Sequence, residues 1–148
     1  MALSVRVTNM NGRIVGEKRG GQHRLFTPDT QGNVVKVRDG TGATLATYNY
    51  WPYGGIRTST GSIVNPWRYG GTWGSYFDGA TYYIRRRVLR PDLTRWMTLD
   101  PVWPDELPYC YASVNPVTYI DPSGLACGDP LTGGGHYVWL PSCPPIKI

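Results

Sequence analysis

Two carboxylates, Asp100 and Asp121, bracket the run DPVWPDELPYCYASVNPVTYIDPSGL at residues 100–125, and each is followed by proline. The run is too rich in proline and aromatic residues for a helix, so its two ends can return side by side. Two carboxylates a hydrogen bond apart do not both ionise cheaply. In such a dyad the ionised member deprotonates a water while the neutral one protonates a carbonyl oxygen, which is the chemistry of an aspartyl hydrolase. Asp-Pro pairs also open ordinary turns, and a third, Asp129-Pro130, lies beyond the run. The residues alone therefore leave turn and dyad both open.

The segments before the run must supply the frame. Leu3 to Thr8 alternates apolar and polar residues, Asn11-Gly12 favours positive φ, and Arg13-Ile14-Val15 resumes an extended pattern, which together predict a β-hairpin. The signature of a polar residue and glycine before a β-branched run recurs at Gln31-Gly32 and Thr41-Gly42. It predicts a repeat-like meander of stacked hairpins. Tyr48, Tyr50, Trp51 and Tyr53 form an aromatic stripe, read as cross-strand packing in preference to a sugar or base site. Residues 57–65 are polar and read as a loop.

Thr81 to Arg90 reads as the most strand-like segment of the chain, with arginines at 85, 86, 87 and 90. Guanidinium groups among aromatics suit phosphates and stacked bases. On a strand, however, neighbouring side chains alternate between faces, so one arginine is expected to point inward against carboxylates or carbonyls. Nucleic acid is accordingly not the expected partner.

Composition sets the bounds. The 148 residues are enough for one domain with a core, and Gly 19, Pro 13, Tyr 11 and Trp 6 favour short strands and tight turns. A net charge of +5 falls short of a dedicated polyphosphate binder. Cys110, Cys127 and Cys143 form no CxxC pair, and His23 and His136 are scattered, so neither a metal nor a cofactor site is expected. Cys127 and Cys143 either close a disulfide across the tail, in an oxidising compartment, or remain thiols. No apolar run approaches the roughly 20 residues of a membrane span, and residues 1–20 lack the apolar stretch of a signal peptide. Export to the cell surface would need an address elsewhere.

Asn65-Pro66-Trp67-Arg68-Tyr69, the segment Tyr82 to Arg87, Leu93-Thr94-Arg95-Trp96, Asp100-Pro101, Tyr109-Cys110-Tyr111, Asn115-Pro116-Val117 and Asp121-Pro122-Ser123-Gly124-Leu125 resemble, in order and spacing, the rearrangement-hotspot (RHS) repeat-associated core domain. Asp29 to Gly55 resembles the YD-type repeat that precedes it. The resemblance spans residues 23–125. It implies an all-β, antiparallel hairpin meander with an irregular Pro/aromatic-rich core segment, divided into YD-like hairpins (1–64), core domain (65–125) and a short tail (126–148).

What the resemblance further implies is a core domain that plugs one end of a β-shell and acts as a single-turnover aspartyl autoprotease, as in RHS toxins and the C subunits of Tc complexes. The pair would be Asp100 and Asp121, the supporting arginine Arg87, and the cut bond Leu125–Ala126. Arg90 departs from the family pattern, where an aspartate is usual, as do Trp103-Pro104-Asp105-Glu106 in place of glycines. Barely two repeats precede the core. The expected partners are therefore upstream RHS repeats or identical copies of the chain. In the second case it would be a non-catalytic β-module that assembles by strand pairing into a tube or surface filament.

Overall fold

A computed structural model describes residues 4–101, 103–104 and 107–125. Leu3, Asp105, Glu106 and the whole tail, with Ala126, Cys127 and Cys143, lie outside the described residues. Six consecutive strands pair in sequence order as one antiparallel meander: β1 (Val5–Met10), β2 (Arg13–Arg19), β3 (Gln22–Pro28), β4 (Val34–Asp39), β5 (Thr44–Tyr50) and β6 (Ile56–Thr60). A second antiparallel sheet has the order β10-β9-β8-β7, built from β7 (Tyr76–Phe77), β8 (Tyr82–Ile84), β9 (Arg87–Arg90) and β10 (Arg95–Trp96). Gly71–Trp73 and Ala112–Val114 form short 3-10 turns.

Alternation along the strands decides which face of the first sheet is buried. Phe26, Val37 and Ala46 stand opposite one another across β3, β4 and β5, and all three are buried. With Ile14, Val34 and Tyr48 they form one core cluster, against which Ile63 and Trp67 pack. The turns follow the residue types. Asn11 and Gly12 have φ of 51° and 77°, the positive values that a tight two-residue hairpin needs. Asp29 and Asp39 close two matching turns: each carboxylate accepts from the backbone N–H groups two and four residues on, at 2.9–3.0 Å. The ten-residue repeat is thus a repeat of hydrogen bonding as well as of composition.

Two segments differ from the sequence reading. Residues 57–65 read as a loop, yet Ile56–Thr60 is an edge strand. Thr47 and Thr60 hydroxyls meet at 2.7 Å, and Asn49 Nδ2 donates to Thr58 Oγ1 at 2.8 Å. A wet edge strand can be held by such polar pairs without an apolar face. The supposed single strand from Thr81 to Arg90 is instead a hairpin, with Ile84 paired to Arg87 across Arg85 and Arg86. Arg85 has φ 49° and both turn arginines are exposed, so the chain puts the charges at a tip in water.

The second core cluster contains Tyr69, Tyr82, Ile84, Leu89, Trp96 and Tyr111. Residues 64–71 join it to the first. Val34 N–H donates to the Arg68 carbonyl at 3.0 Å, and Tyr82 and Tyr69 hydroxyls donate to the carbonyls of Gly54 and Pro52 at 2.8 and 2.7 Å. A buried ion cluster reinforces the seam. Glu17, 2% exposed, accepts from Arg19, Arg24 and the Trp67 indole, while Arg24 also donates to the Val64 carbonyl.

Candidate functional site

Arg87 opens β9 immediately after the Arg85–Arg86 turn, and the register of the hairpin turns its side chain inward. It is 4% exposed, and each of its three guanidinium nitrogens has a separate acceptor. Nη1 donates to Asp100 Oδ2, Nη2 donates to Asp121 Oδ2 at 2.9 Å, and Nε donates to the carbonyl of Gly124. Asp100 and Asp121 are 1% and 2% exposed. The guanidinium lies over the indole of Trp96, 4.2 Å from the ring centroid, so one of its faces is covered by an aromatic ring.

Each partner is set by its own local structure. Asp100 N–H donates to the Pro108 carbonyl at 2.7 Å and its carbonyl accepts from Trp103 N–H at 3.0 Å, which turns the chain at the first Asp-Pro pair. Asp121 caps the other turn. Its Oδ1 accepts from the Ser123 hydroxyl at 2.9 Å, Gly124 N–H at 2.9 Å and Leu125 N–H at 3.2 Å. Gly124 has φ 71°, and a Cβ there would collide with the Ile84 carbonyl oxygen, so only glycine can bring the backbone this close to β8. The turn reading of Asp-Pro holds at Asp121, which caps a turn with one oxygen and meets Arg87 with the other.

The geometry gathers Arg87, Asp100 and Asp121 into one buried cluster, to which the half-buried Leu125 is joined by its N–H. Ala126 is outside the described residues. Trp96, which carries the guanidinium, and Ser123, which links Asp121 to the Leu125 N–H at 3.1 Å, had no assigned role in the sequence reading. A tryptophan four residues before the first Asp-Pro pair and a serine directly after the second were the available signals. Tyr111 packs nearby, and burial pushes its hydroxyl well above the usual tyrosine range, with the charge of Asp121 adding to the effect and a hydrogen bond with Tyr69 opposing it. Burial also raises the Cys110 thiol. Among the described residues no group of His, Cys, Asp and Glu is arranged to hold a metal ion.

A groove of about 550 Å³ lies away from the Arg87 cluster. It is bounded by Asp29, Tyr50, Trp51, Arg57 and Pro116. The aromatic stripe divides there. Tyr48 and Tyr50 stack at 6.5 Å towards the core, whereas Trp51 is 56% exposed. Arg87, Asp100 and Asp121 do not line this groove.

The fold has the RHS-related, antiparallel β architecture of Tc toxin structures. In the crystal structure of TcdB2-TccC3 the likeness extends over 83% of this chain and 7% of the other, with a TM-score of 0.73 and 25% identity. In the Photorhabdus luminescens Tc holotoxin pore it covers 83% and 6%, with a TM-score of 0.71 and 24% identity. The tRNA nuclease WapA of Bacillus subtilis is 30% identical over 76% of this chain, and the tRNA3(Ser)-specific nuclease WapA of Bacillus spizizenii is 28% identical over 88%. No family model matches the chain. The chain spans about 5% of the length of these two curated relatives, and the likeness supports an RHS-related, toxin-associated β-module.

Proposed function

We propose that this chain is an RHS core module that cuts its own backbone after Leu125, with Asp100 and Asp121 as the dyad and Arg87 as its support. The observation that carries the reading is that one guanidinium holds both carboxylates and the Gly124 carbonyl. The substrate is thereby tethered one residue from the bond to be broken, which removes the entropy cost of capture and lets a modest site suffice for one turnover. One carboxylate accepts a proton from water, whose oxygen attacks the Leu125 carbonyl carbon. The other, protonated, donates to the carbonyl oxygen as it gains charge. Collapse breaks the C–N bond, sends the proton to the Ala126 nitrogen and leaves a carboxylate on Leu125. Arg87 balances the charge of the pair and fixes its orientation.

Intact mass of freshly expressed protein tests this directly. Loss of residues 126–148 from the parent chain, absent in Asp100→Asn and Asp121→Asn, is the expected result. A full-length mass that persists in the parent chain at neutral pH overturns it. Acid is avoided throughout, because Asp-Pro bonds break chemically.

A second reading, of a β-module that pairs by its edges with upstream repeats or with copies of itself, is favoured by β1. Its residues are all exposed, with Val5, Val7 and Met10 at 38, 41 and 62%, and it ends the strand order of the first sheet. Sedimentation at rising concentration distinguishes the cases. A single monomer species throughout counts against self-pairing and leaves upstream repeats as the edge's partner.

A further inference from the structure

The first sheet has a second face, which no segment of the described chain covers, and its charge is of one sign. Register places Arg6, Lys18 and His23 side by side across β1, β2 and β3. The next row runs Thr8, Gly16, Leu25 and Arg38, and the one after it Thr27, Lys36, Thr47 and Thr60. Arg6, Lys18, His23, Lys36 and Arg38 are all exposed. The carboxylates adjacent in sequence are engaged elsewhere: Glu17 lies on the opposite face, held by Arg19, Arg24 and Trp67, and Asp39 caps the turn between β4 and β5, accepting from the N–H groups of Thr41 and Ala43. No aspartate or glutamate occurs in any of these rows.

Directly opposed like charges destabilise a sheet, and Arg6 against Lys18 is such a pair. The arrangement is relieved when an anion lies across it. We infer that this face is a docking surface for an acidic polypeptide segment in extended conformation. From Arg6 to Lys36 the array crosses three strand spacings and two rows, a diagonal of roughly 20 Å, which about six extended residues would span. The rows contain threonine, one leucine, no phenylalanine, tyrosine or tryptophan and a single imidazole at His23, so bases would find no succession of rings to stack on, while carboxylates meet both ammonium and guanidinium donors. Arg38 is held ready by its hydrogen bond to Thr27 Oγ1 at 3.0 Å, and the threonine hydroxyls of the Lys36 row supply further donors to backbone carbonyls.

The test uses the full chain with Asp100→Asn, so that its length is constant, and a fluorescent hexaglutamate peptide, with oligouridylate of similar charge as the competitor class. Binding of the peptide that weakens at least tenfold in Lys18→Gln/Lys36→Gln/Arg38→Gln, and that falls with added salt, is the expected result. The control is Arg85→Gln/Arg86→Gln, which removes two exposed cations from the other sheet and should leave binding within twofold. Equal loss in both variants would reduce the effect to net charge and overturn the inference. So would absence of peptide binding, or tighter binding of oligouridylate through the same residues. Matched thermal unfolding of all variants separates lost binding from lost fold.

Discussion

Arg87 and Asp121 are 34 residues apart in the chain, yet Nη2 of one and Oδ2 of the other meet at 2.9 Å in the interior of the molecule. The same guanidinium reaches Asp100, so a single cation closes two long loops at once. Buried ion pairs seldom raise stability above that of an apolar replacement, but removing one partner strands the other. Arg87 is the partner whose loss strands both carboxylates.

Arg87→Ala is therefore expected to cost about 3–5 kcal/mol in denaturant unfolding, the cost of leaving buried charge uncompensated. Arg87→Lys should recover only part of this, because one ammonium cannot hold two carboxylates and the Gly124 carbonyl in a fixed fork. Adding Asp100→Asn to Arg87→Ala should restore some stability, since it removes one of the stranded charges. Strict additivity of the two substitutions would show that the three groups do not act as a unit.

Gly124→Ala tests the approach of the chain to the site. The φ of 71° is strained for alanine, and the new methyl would press on the Ile84 carbonyl. A loss of about 2 kcal/mol is expected from strain of this kind. Cleavage after Leu125 should fall more steeply than stability does, because the Gly124 carbonyl must leave Arg87 to relieve the clash. Unchanged cleavage in a folded Gly124→Ala protein would remove Gly124 from the proposed mechanism.

The meander was legible from residue types. Asn11-Gly12, Gln31-Gly32 and Thr41-Gly42 each sit in turns of the first sheet, and period-two alternation identifies its buried face. The Gly20-Gly21 turn between β2 and β3 carries the same kind of signal, with positive φ at both glycines. What alternation could not reveal was the break at Arg85–Arg86, because a run of β-formers looks continuous whether or not it reverses. Nor could it place Trp96 beneath Arg87 or Glu17 between Arg19 and Arg24. Those contacts depend on packing between segments distant in sequence, for which short-range spacing holds no information.

Alkali provides a further check. Tyr69, Tyr82 and Tyr111 are 2, 0 and 3% exposed, and burial raises all three hydroxyls above the usual range. Since the folded state holds these protons more tightly than the unfolded state, the stability they contribute is complete below the ordinary tyrosine value of about 10 and is lost as pH rises beyond it. Tyrosinate absorbance should then appear in two phases, the exposed rings titrating first and the buried ones only with cooperative unfolding. A single smooth titration with the native circular dichroism retained would contradict the packing of the second core.

Glu17→Gln separates the frame from the chemistry. Glu17 is 2% exposed and receives Arg19, Arg24 and the Trp67 indole, so the neutral amide leaves two guanidinium groups without their anion at the seam between the sheet and residues 64–67. The cost should be about 3 kcal/mol, which lowers Tm by about 10 °C for a chain of this size. Arg19, Arg24 and Trp67, which hold Glu17, are distinct from the groups that hold Asp100 and Asp121. Below the new Tm, the extent of cleavage after Leu125 should consequently match that of the parent chain, whereas Asp100→Asn should abolish cleavage at every temperature. If Glu17→Gln instead blocked cleavage while the protein remained folded, the dyad would have to depend on the first sheet for its geometry. The second sheet would then not hold the site by itself, and the proposed division between frame and chemistry would fail.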